Sequence, residues 1–280
     1  MTKGKLMRYT AFSTKPSGGN PAGVWIGDEL PSNGEMQAVA RQVGYSETAF
    51  IAPRTGFNRT VRYFSPEIEV PFCGHATIAS GIVLGSIDGP GTYTFSTPAG
   101  DIPVSVTELN GNLRAALTSV EPQAGVVTAE LVEEVLRALD WTTADLSSAI
   151  PPGRAYAGAW HLVLAVDRIE RLNQLNYDFD ALKATMEREG FITIQLVWRE
   201  TDRVFHSRNP FPVGGVIEDP ATGAAAAALG GYLREKGLVQ IPTQIRIHQG
   251  EAMGRPSRLE VEIPEIGGIV VAGTAVEILE

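Results

Sequence analysis

Apolar and polar positions alternate along this chain in two periods, and the switches between them predict an α+β order of elements. Residues 5–12 and 22–27 read as strands around a loop, Ser17-Gly18-Gly19-Asn20-Pro21, too polar and Gly-rich for a standard hairpin turn. Ser32-Asn33-Gly34-Glu35 has the capping-box pattern, opening a helix to about Val43 with Met36, Val39, Ala40 and Val43 on one face. A turn at Gly44-Tyr45-Ser46 runs into a strand through Ile51, and residues 59–64 form the next. The irregular stretch Ser-Pro-Glu-Ile-Glu-Val-Pro-Phe-Cys-Gly (65–74) then feeds a helix from His75 to about Gly85. Strands follow at 92–97, 101–107 and 112–118.

Residues 121–127 read as a linker, after which the pattern restarts. Thr128 caps a helix to about Leu139 with Leu131, Val135 and Leu139 as its stripe. Strands are expected at 154–166, 191–199 and 202–208, a helix near 178–189, and short β segments over 242–279. Before those segments, Glu218-Asp219-Pro220-Ala221-Thr222-Gly223 leads into five alanines and Leu229.

The two irregular stretches echo each other. Aligning Gly74 with Gly223 brings Ala76 onto Ala225, Ala79 onto Ala228 and Leu84 onto Leu233. A helix that is small or apolar on every side is buried all round. Two such helices, each among short strands, predict two similar lobes, each a strongly bent mixed sheet around a central helix. The expected division assigns 1–118 plus a C-terminal strand near 268–280 to the first lobe, and 119–267 to the second. If the lobes are related by pseudo-twofold symmetry, both helix N-termini, rich in unpaired N–H groups, can face one cleft and grip a carboxylate.

Bulk properties narrow the function. A net charge of −9 on 280 residues, with no basic block, argues against nucleic acid and anionic membrane surfaces. No apolar run reaches a membrane span and the N-terminus lacks a signal-peptide core. Cys73 is the only cysteine, so no intrachain disulfide forms, which suits a cytoplasmic protein. With four scattered histidines (75, 161, 206, 248) there is no ligand pair at metal spacing, and no metal or cofactor motif is expected.

The ordered stretches Gly19-Asn20-Pro21-Ala22, Ser46-Glu47-Thr48, Phe72-Cys73-Gly74-His75-Ala76-Thr77, Glu218-Asp219-Pro220-Ala221-Thr222-Gly223 and Gln249-Gly250-Glu251-Ala252-Met253-Gly254-Arg255-Pro256-Ser257 resemble the motifs of the PhzF-like (phenazine biosynthesis) family, which shares a two-lobed fold with diaminopimelate epimerase. The resemblance covers nearly the whole chain. It implies a cofactor-independent isomerase, commonly a homodimer, that moves a proton by general acid–base catalysis on a small carboxylate metabolite held between the lobes. It makes Glu47 the proton shuttle, lines the site with His75, and has Asp219 orient a substrate amino or hydroxyl group.

The residues themselves carry part of this. A carboxylate shuttles protons well in a dry pocket, and Tyr45, Ala49, Phe50 and Ile51 surround Glu47 in sequence. A histidine at a helix start is favoured as the neutral ring. Substrate contacts are expected from Asn20, Cys73, Gly74, Arg255 and the backbone amides of Gly223 and Ala224. Ala224 stands where the phenazine enzyme's pattern has serine, which counts against dihydro-hydroxyanthranilate as the substrate. Cys73 reads as a small buried apolar residue. The second lobe has no cysteine, which excludes a two-thiol racemase. A Cys73–His75 hydrolase is disfavoured because residues i and i+2 at a helix start do not face each other. The alternatives are a single-base amino-acid epimerase, with Cys73 or Asp219 as second proton donor, and a non-enzymatic binding protein.

Overall fold

The computed structural model describes residues 3–279, which divide into two compact units, one formed by the chain up to Thr118 and again from Ala272, the other by Ser119–Val271. Each is α+β. In the first, β1 (Gly4–Ala11) and β2 (Asn20–Gly27) form an antiparallel hairpin, and Thr10 Oγ1 donates to Gly18 O across the long loop between them. The helix α1 (Asn33–Val43) follows, with the expected reciprocal Ser32–Glu35 cap and Gly44 left-handed at its end. Next come β3 (Glu47–Pro53), β4 (Asn58–Phe64), the short β5 (Glu69–Val70), α2 (Gly74–Asp88), β6 (Gly91–Thr97), β7 (Gly100–Leu109) and β8 (Asn112–Thr118).

In the second unit, β9 (Gln123–Gly125), α3 (Ala129–Ala138), β10 (Gly153–Tyr156), β11 (Trp160–Val166), α4 (Ile169–Asn173) and α5 (Phe179–Glu189) precede β12 (Phe191–Arg199) and β13 (Val204–Arg208). Then come α6 (Gly223–Glu235), β14 (Thr243–Gln249) and β15 (Ser257–Ile263). The strand β16 (Val270–Gly273) straddles the division, and β17 (Ala275–Glu277) pairs antiparallel with β1.

Strand pairing repeats between the units. Along β1-β2-β3-β4-β6-β7 the neighbours run antiparallel, parallel, antiparallel, parallel, antiparallel. Along β10-β11-β12-β13-β14-β15 they do the same. Each parallel step needs a crossover. The first is made by α1, or by α4 and α5; the second by α2, or by α6. These last two are the central helices. Eleven consecutive residues of α2, His75 to Gly85, are buried, and it touches β1, β2, β3, β7 and β8, so the sheet bends around it. In α6 residues 225–233 are all buried, against β9, β10, β11, β12 and β15.

Small residues make this enclosure possible. A Cβ on Gly85 would lie 2.6 Å from Val106 Cγ1 on β7, so a larger residue would push helix and sheet apart. The outer faces of the strands are covered too. Met36 and Ala40 of α1 pack on Trp25, Phe50 and Phe64, while α3 and α5 pack Leu131, Val135, Leu182 and Met186 on Leu162, Leu164, Ile194 and Leu196. Burial on both faces explains why residues 48–52 and 161–166 are continuously buried instead of alternating.

Two sequence expectations are corrected. The supposed linker at 121–127 contains β9, which pairs with β10, and Ala124 N donates to Glu235 of α6. The single strand expected at 154–166 is a hairpin, Tyr156 opposite Trp160, turned at Ala157-Gly158-Ala159 with Gly158 at φ 107°. Only glycine takes that backbone geometry cheaply.

One buried polar seam crosses the second unit. His161 Nδ1 lies 2.8 Å from Thr193 Oγ1, and Asn209 Nδ2 donates to Thr193 Oγ1 and Gln195 Oε1. Ser207 Oγ donates to Asn209 Oδ1 and accepts from Gln195 Nε2. His161 is fully buried, and loss of solvent pushes its pKa down to about 3. The folded state therefore disfavours the imidazolium, whereas the unfolded chain takes up that proton below about pH 6.5. Stability from this ring is fully present above pH 6.5 and falls as pH drops towards 3. Urea midpoints between pH 6.5 and 5 should decline with up to about 1.4 kcal/mol per pH unit from this one group. His161→Asn should flatten that decline; an equal slope in the variant would assign the titration elsewhere.

Candidate functional site

Glu47 is the first residue of β3, opposite Ala22 of β2 in parallel register, and Asn20, 2% exposed, opens β2 two residues upstream of that pair. Cys73 is the N-cap of α2, Gly74 its first residue and His75 its second. Folding brings three of these together. Cys73 Sγ donates to Glu47 Oε2 at 3.4 Å and lies 3.3 Å from His75 Nδ1; His75 Nε2 is 3.4 Å from Glu47 Oε2. Ser46 Oγ is 3.3 Å from His75 Nε2. The His75 side chain is 8% exposed and that of Glu47 19%, so the carboxylate is reachable from an otherwise buried cluster.

This geometry overturns one reading. Cys73 and His75 do face each other. The i, i+2 rule holds inside a helix, and Cys73 is an extended N-cap residue at φ −145°, ψ 117°, which swings its thiol across the helix mouth. Cys73 is therefore a member of the polar cluster as well as a buried small side chain. Glu47, Cys73 and His75 also present donor atoms within 4.8 Å of one another. Sequence spacing hides this set, since Glu47 arrives from a different strand.

In the second unit Asp219 lies in the turn before α6, half-buried, and Gly223 and Ala224 are the first two residues of that helix. The structure adds residues to which the sequence reading gave no role. Thr222, the N-cap, donates its hydroxyl to Asp219 Oδ2 at 2.5 Å and accepts from Gln249 Nε2 at 3.1 Å. Gln249, 1% exposed, also donates to Asp219 O and accepts from Thr222 N. Both residues fall inside the quoted motifs, which was the only available signal. Arg255 is half-buried beyond the turn at Gly250, where its N–H donates to Gly250 O. Gly250 sits at φ +76°, and a Cβ there would lie 2.4 Å from Arg255 O and 2.6 Å from Pro220 O, so this turn abuts the Asp219 loop.

The two central helices thus start alike. Neither N-cap side chain accepts from a backbone N–H of its own first turn. Cys73 is committed to Glu47, and Thr222 to Asp219. A conventional cap would occupy a first-turn N–H. Here the N-cap side chain does not play that part at either helix start, and both starts carry the positive end of the helix dipole. Each start places a carboxylate beside a surface suited to an anion.

Residues 9–280 match the family described as phenazine biosynthesis-like protein (PhzC-PhzF). The chain is 32% identical to the uncharacterized isomerase YfhB of Bacillus subtilis (strain 168), over 99% of this chain and 97% of that one. It is 31% identical to the trans-2,3-dihydro-3-hydroxyanthranilate isomerase of Pseudomonas chlororaphis, over 95% and 94% of the two chains. The crystal structure of the Bacillus anthracis phenazine biosynthesis protein of the PhzF family superposes with a TM-score of 0.86 at 25% identity, covering 98% of both chains. With the ordered motifs, the bent sheets on central helices and these likenesses in hand, the chain belongs to the phenazine biosynthesis-like family and is an isomerase.

Proposed function

We propose that this protein isomerises a small carboxylated metabolite by cofactor-independent proton transfer, with Glu47 as the shuttle. The observation that carries the reading is the Glu47 carboxylate held 3.4 Å from both a thiol and an imidazole at the mouth of a buried helix. Glu47 Oε2 takes a proton from substrate carbon and returns it to another carbon of the conjugated system, so the net proton count does not change. His75 hydrogen-bonds the substrate or the developing negative charge, and the first turn of α2 favours the anion. Asp219, fixed by Thr222 and Gln249, orients a substrate amino or hydroxyl group, and Gly223 and Ala224 offer backbone N–H groups. Asn20 and Arg255 remain substrate contacts in this proposal, and the protein acts as a cytoplasmic homodimer. No described helix is long and apolar enough to cross a membrane.

The cluster's spacing counts against one form of the epimerase alternative. Two groups acting on opposite faces of a carbon, each about 3–3.5 Å from it, stand about 6–7 Å apart. Cys73 and Glu47 are separated by 3.4 Å, so they serve one face. An epimerase would need its second proton donor elsewhere, at Asp219.

The test is turnover in deuterated water with trans-2,3-dihydro-3-hydroxyanthranilate and other small unsaturated carboxylates and amino acids. Deuterium in a product whose double bond has moved is the expected result. Deuterium at an inverted Cα, with the double bonds in place, would replace isomerisation by epimerisation. Ala224 predicts that the anthranilate precursor is a poorer substrate than another member of the set.

A further inference from the structure

We propose that Glu47, Cys73 and His75 also form a binding site for one thiophilic divalent cation, with Zn2+ as the reference ion, and that this cation competes with the proton for Glu47. Binding stands apart from the catalytic reading; only its inhibitory consequence rests on that reading.

Zinc–sulfur bonds of about 2.3 Å and zinc–nitrogen or zinc–oxygen bonds of about 2.0–2.2 Å, at tetrahedral angles, set donor–donor edges of about 3.3–3.6 Å. The structure has Sγ–Oε2 at 3.4 Å, Nε2–Oε2 at 3.4 Å and Sγ–Nε2 at 3.8 Å. Three donors therefore sit close to one face of a zinc tetrahedron before any ion arrives. The chemistry agrees. A thiolate, an imidazole and one carboxylate oxygen favour zinc and cobalt over magnesium and calcium, which require mostly oxygen donors. The scaffold is firm, since Glu47 begins a paired strand and the other two open a buried helix, so little ordering is required on binding. Glu47 at 19% exposure leaves an approach to the site, and three protein ligands leave a fourth position for water.

The same spacing accommodates protons as hydrogen bonds, so the cluster has two forms. In one the thiol keeps its proton and donates to Glu47. In the other the thiol has released that proton to solvent, and the cation bridges thiolate, carboxylate and imidazole. Glu47 in the second form cannot accept a proton from carbon, so the bound cation inhibits. Binding also weakens as pH falls, because protons compete for the ligands.

Cobalt titration of the full-length, reduced protein tests this without any substrate. One equivalent of Co2+ should produce a sulfur-to-cobalt charge-transfer band in the near ultraviolet with strong four-coordinate visible bands, and Zn2+ should displace it. Cys73→Ser should abolish the near-ultraviolet band, and Glu47→Gln should weaken affinity by about tenfold or more through loss of an anionic ligand. Thermal melts of both variants separate ligand loss from misfolding. His206→Ala, outside the cluster and with its ring 4.9 Å from that of His248, should leave the spectrum unchanged. No charge-transfer band at one equivalent, binding unchanged in Cys73→Ser, or binding abolished by His206→Ala would overturn the site. Saturation with Zn2+ that leaves turnover intact would overturn the competition, whereas loss of the catalytic reading would leave the spectra as they are.

Discussion

Glu47→Gln should lower turnover by about 10²- to 10⁴-fold while leaving the melting temperature nearly unchanged. Glutamine keeps the length of the side chain and an oxygen that can still accept from the Cys73 thiol. It loses the ability to hold a proton taken from carbon. The side chain is 19% exposed, so the substitution removes no fully buried charge and should cost little stability. Glu47→Asp draws the carboxylate back from its position against Cys73 and His75 and should give an intermediate rate, because proton transfer requires hydrogen-bond reach. Turnover is measured as deuterium incorporation from solvent and as product formation. Full turnover in Glu47→Gln would remove Glu47 from the chemistry, whereas a non-enzymatic binding protein would show no turnover in the parent chain either.

What the sequence disclosed, and what it concealed, follows the range of the interactions involved. The α1 cap is legible because Ser32 and Glu35 interact within one turn. The two central helices are legible because burial all round requires small or apolar residues at every position, and their similarity pointed to a repeated unit. The repeat in strand pairing is a long-range property, yet the helices that make its crossovers gave it away. β9 stayed hidden because its three residues become a strand only by pairing with β10, about thirty positions later. The candidate site divides the same way. Glu47, His75 and Asp219 stood out by motif, whereas the commitment of Cys73 to Glu47 depends on one extended N-cap residue. Thr222 and Gln249 gained a role only when β14 placed an amide beside the start of α6.

The second large effect is expected next to Asp219, at Glu218. Its side chain is 3% exposed and that of Arg208 13%, and the pair is bidentate: Arg208 Nε donates to Oε1 at 3.0 Å and Nη2 to Oε2. Arg208 Nη1 also donates to Asn173 O, so the guanidinium ties the Asp219 loop to the end of α4. Tyr177 adds a second tie by donating to Ile217 O; burial, then the charge of Glu218, push its phenol up to about 12, so it stays a donor at working pH. Glu218→Ala leaves the Arg208 charge buried without its carboxylate and should cost about 3–5 kcal/mol. In a protein of this size, that is a drop in melting temperature on the order of 10 °C. Because Asp219 N donates to Asn209 O beside the same pair, turnover should fall with stability. The double variant Arg208→Met/Glu218→Leu separates the causes. Removing both charges removes the uncompensated ion, so stability should recover to near the parent value. Turnover should remain low, since the bidentate tie that positions the loop is still gone. If the single variant loses less than about 1 kcal/mol, the pair behaves as a solvated surface bridge and does not hold Asp219 in place.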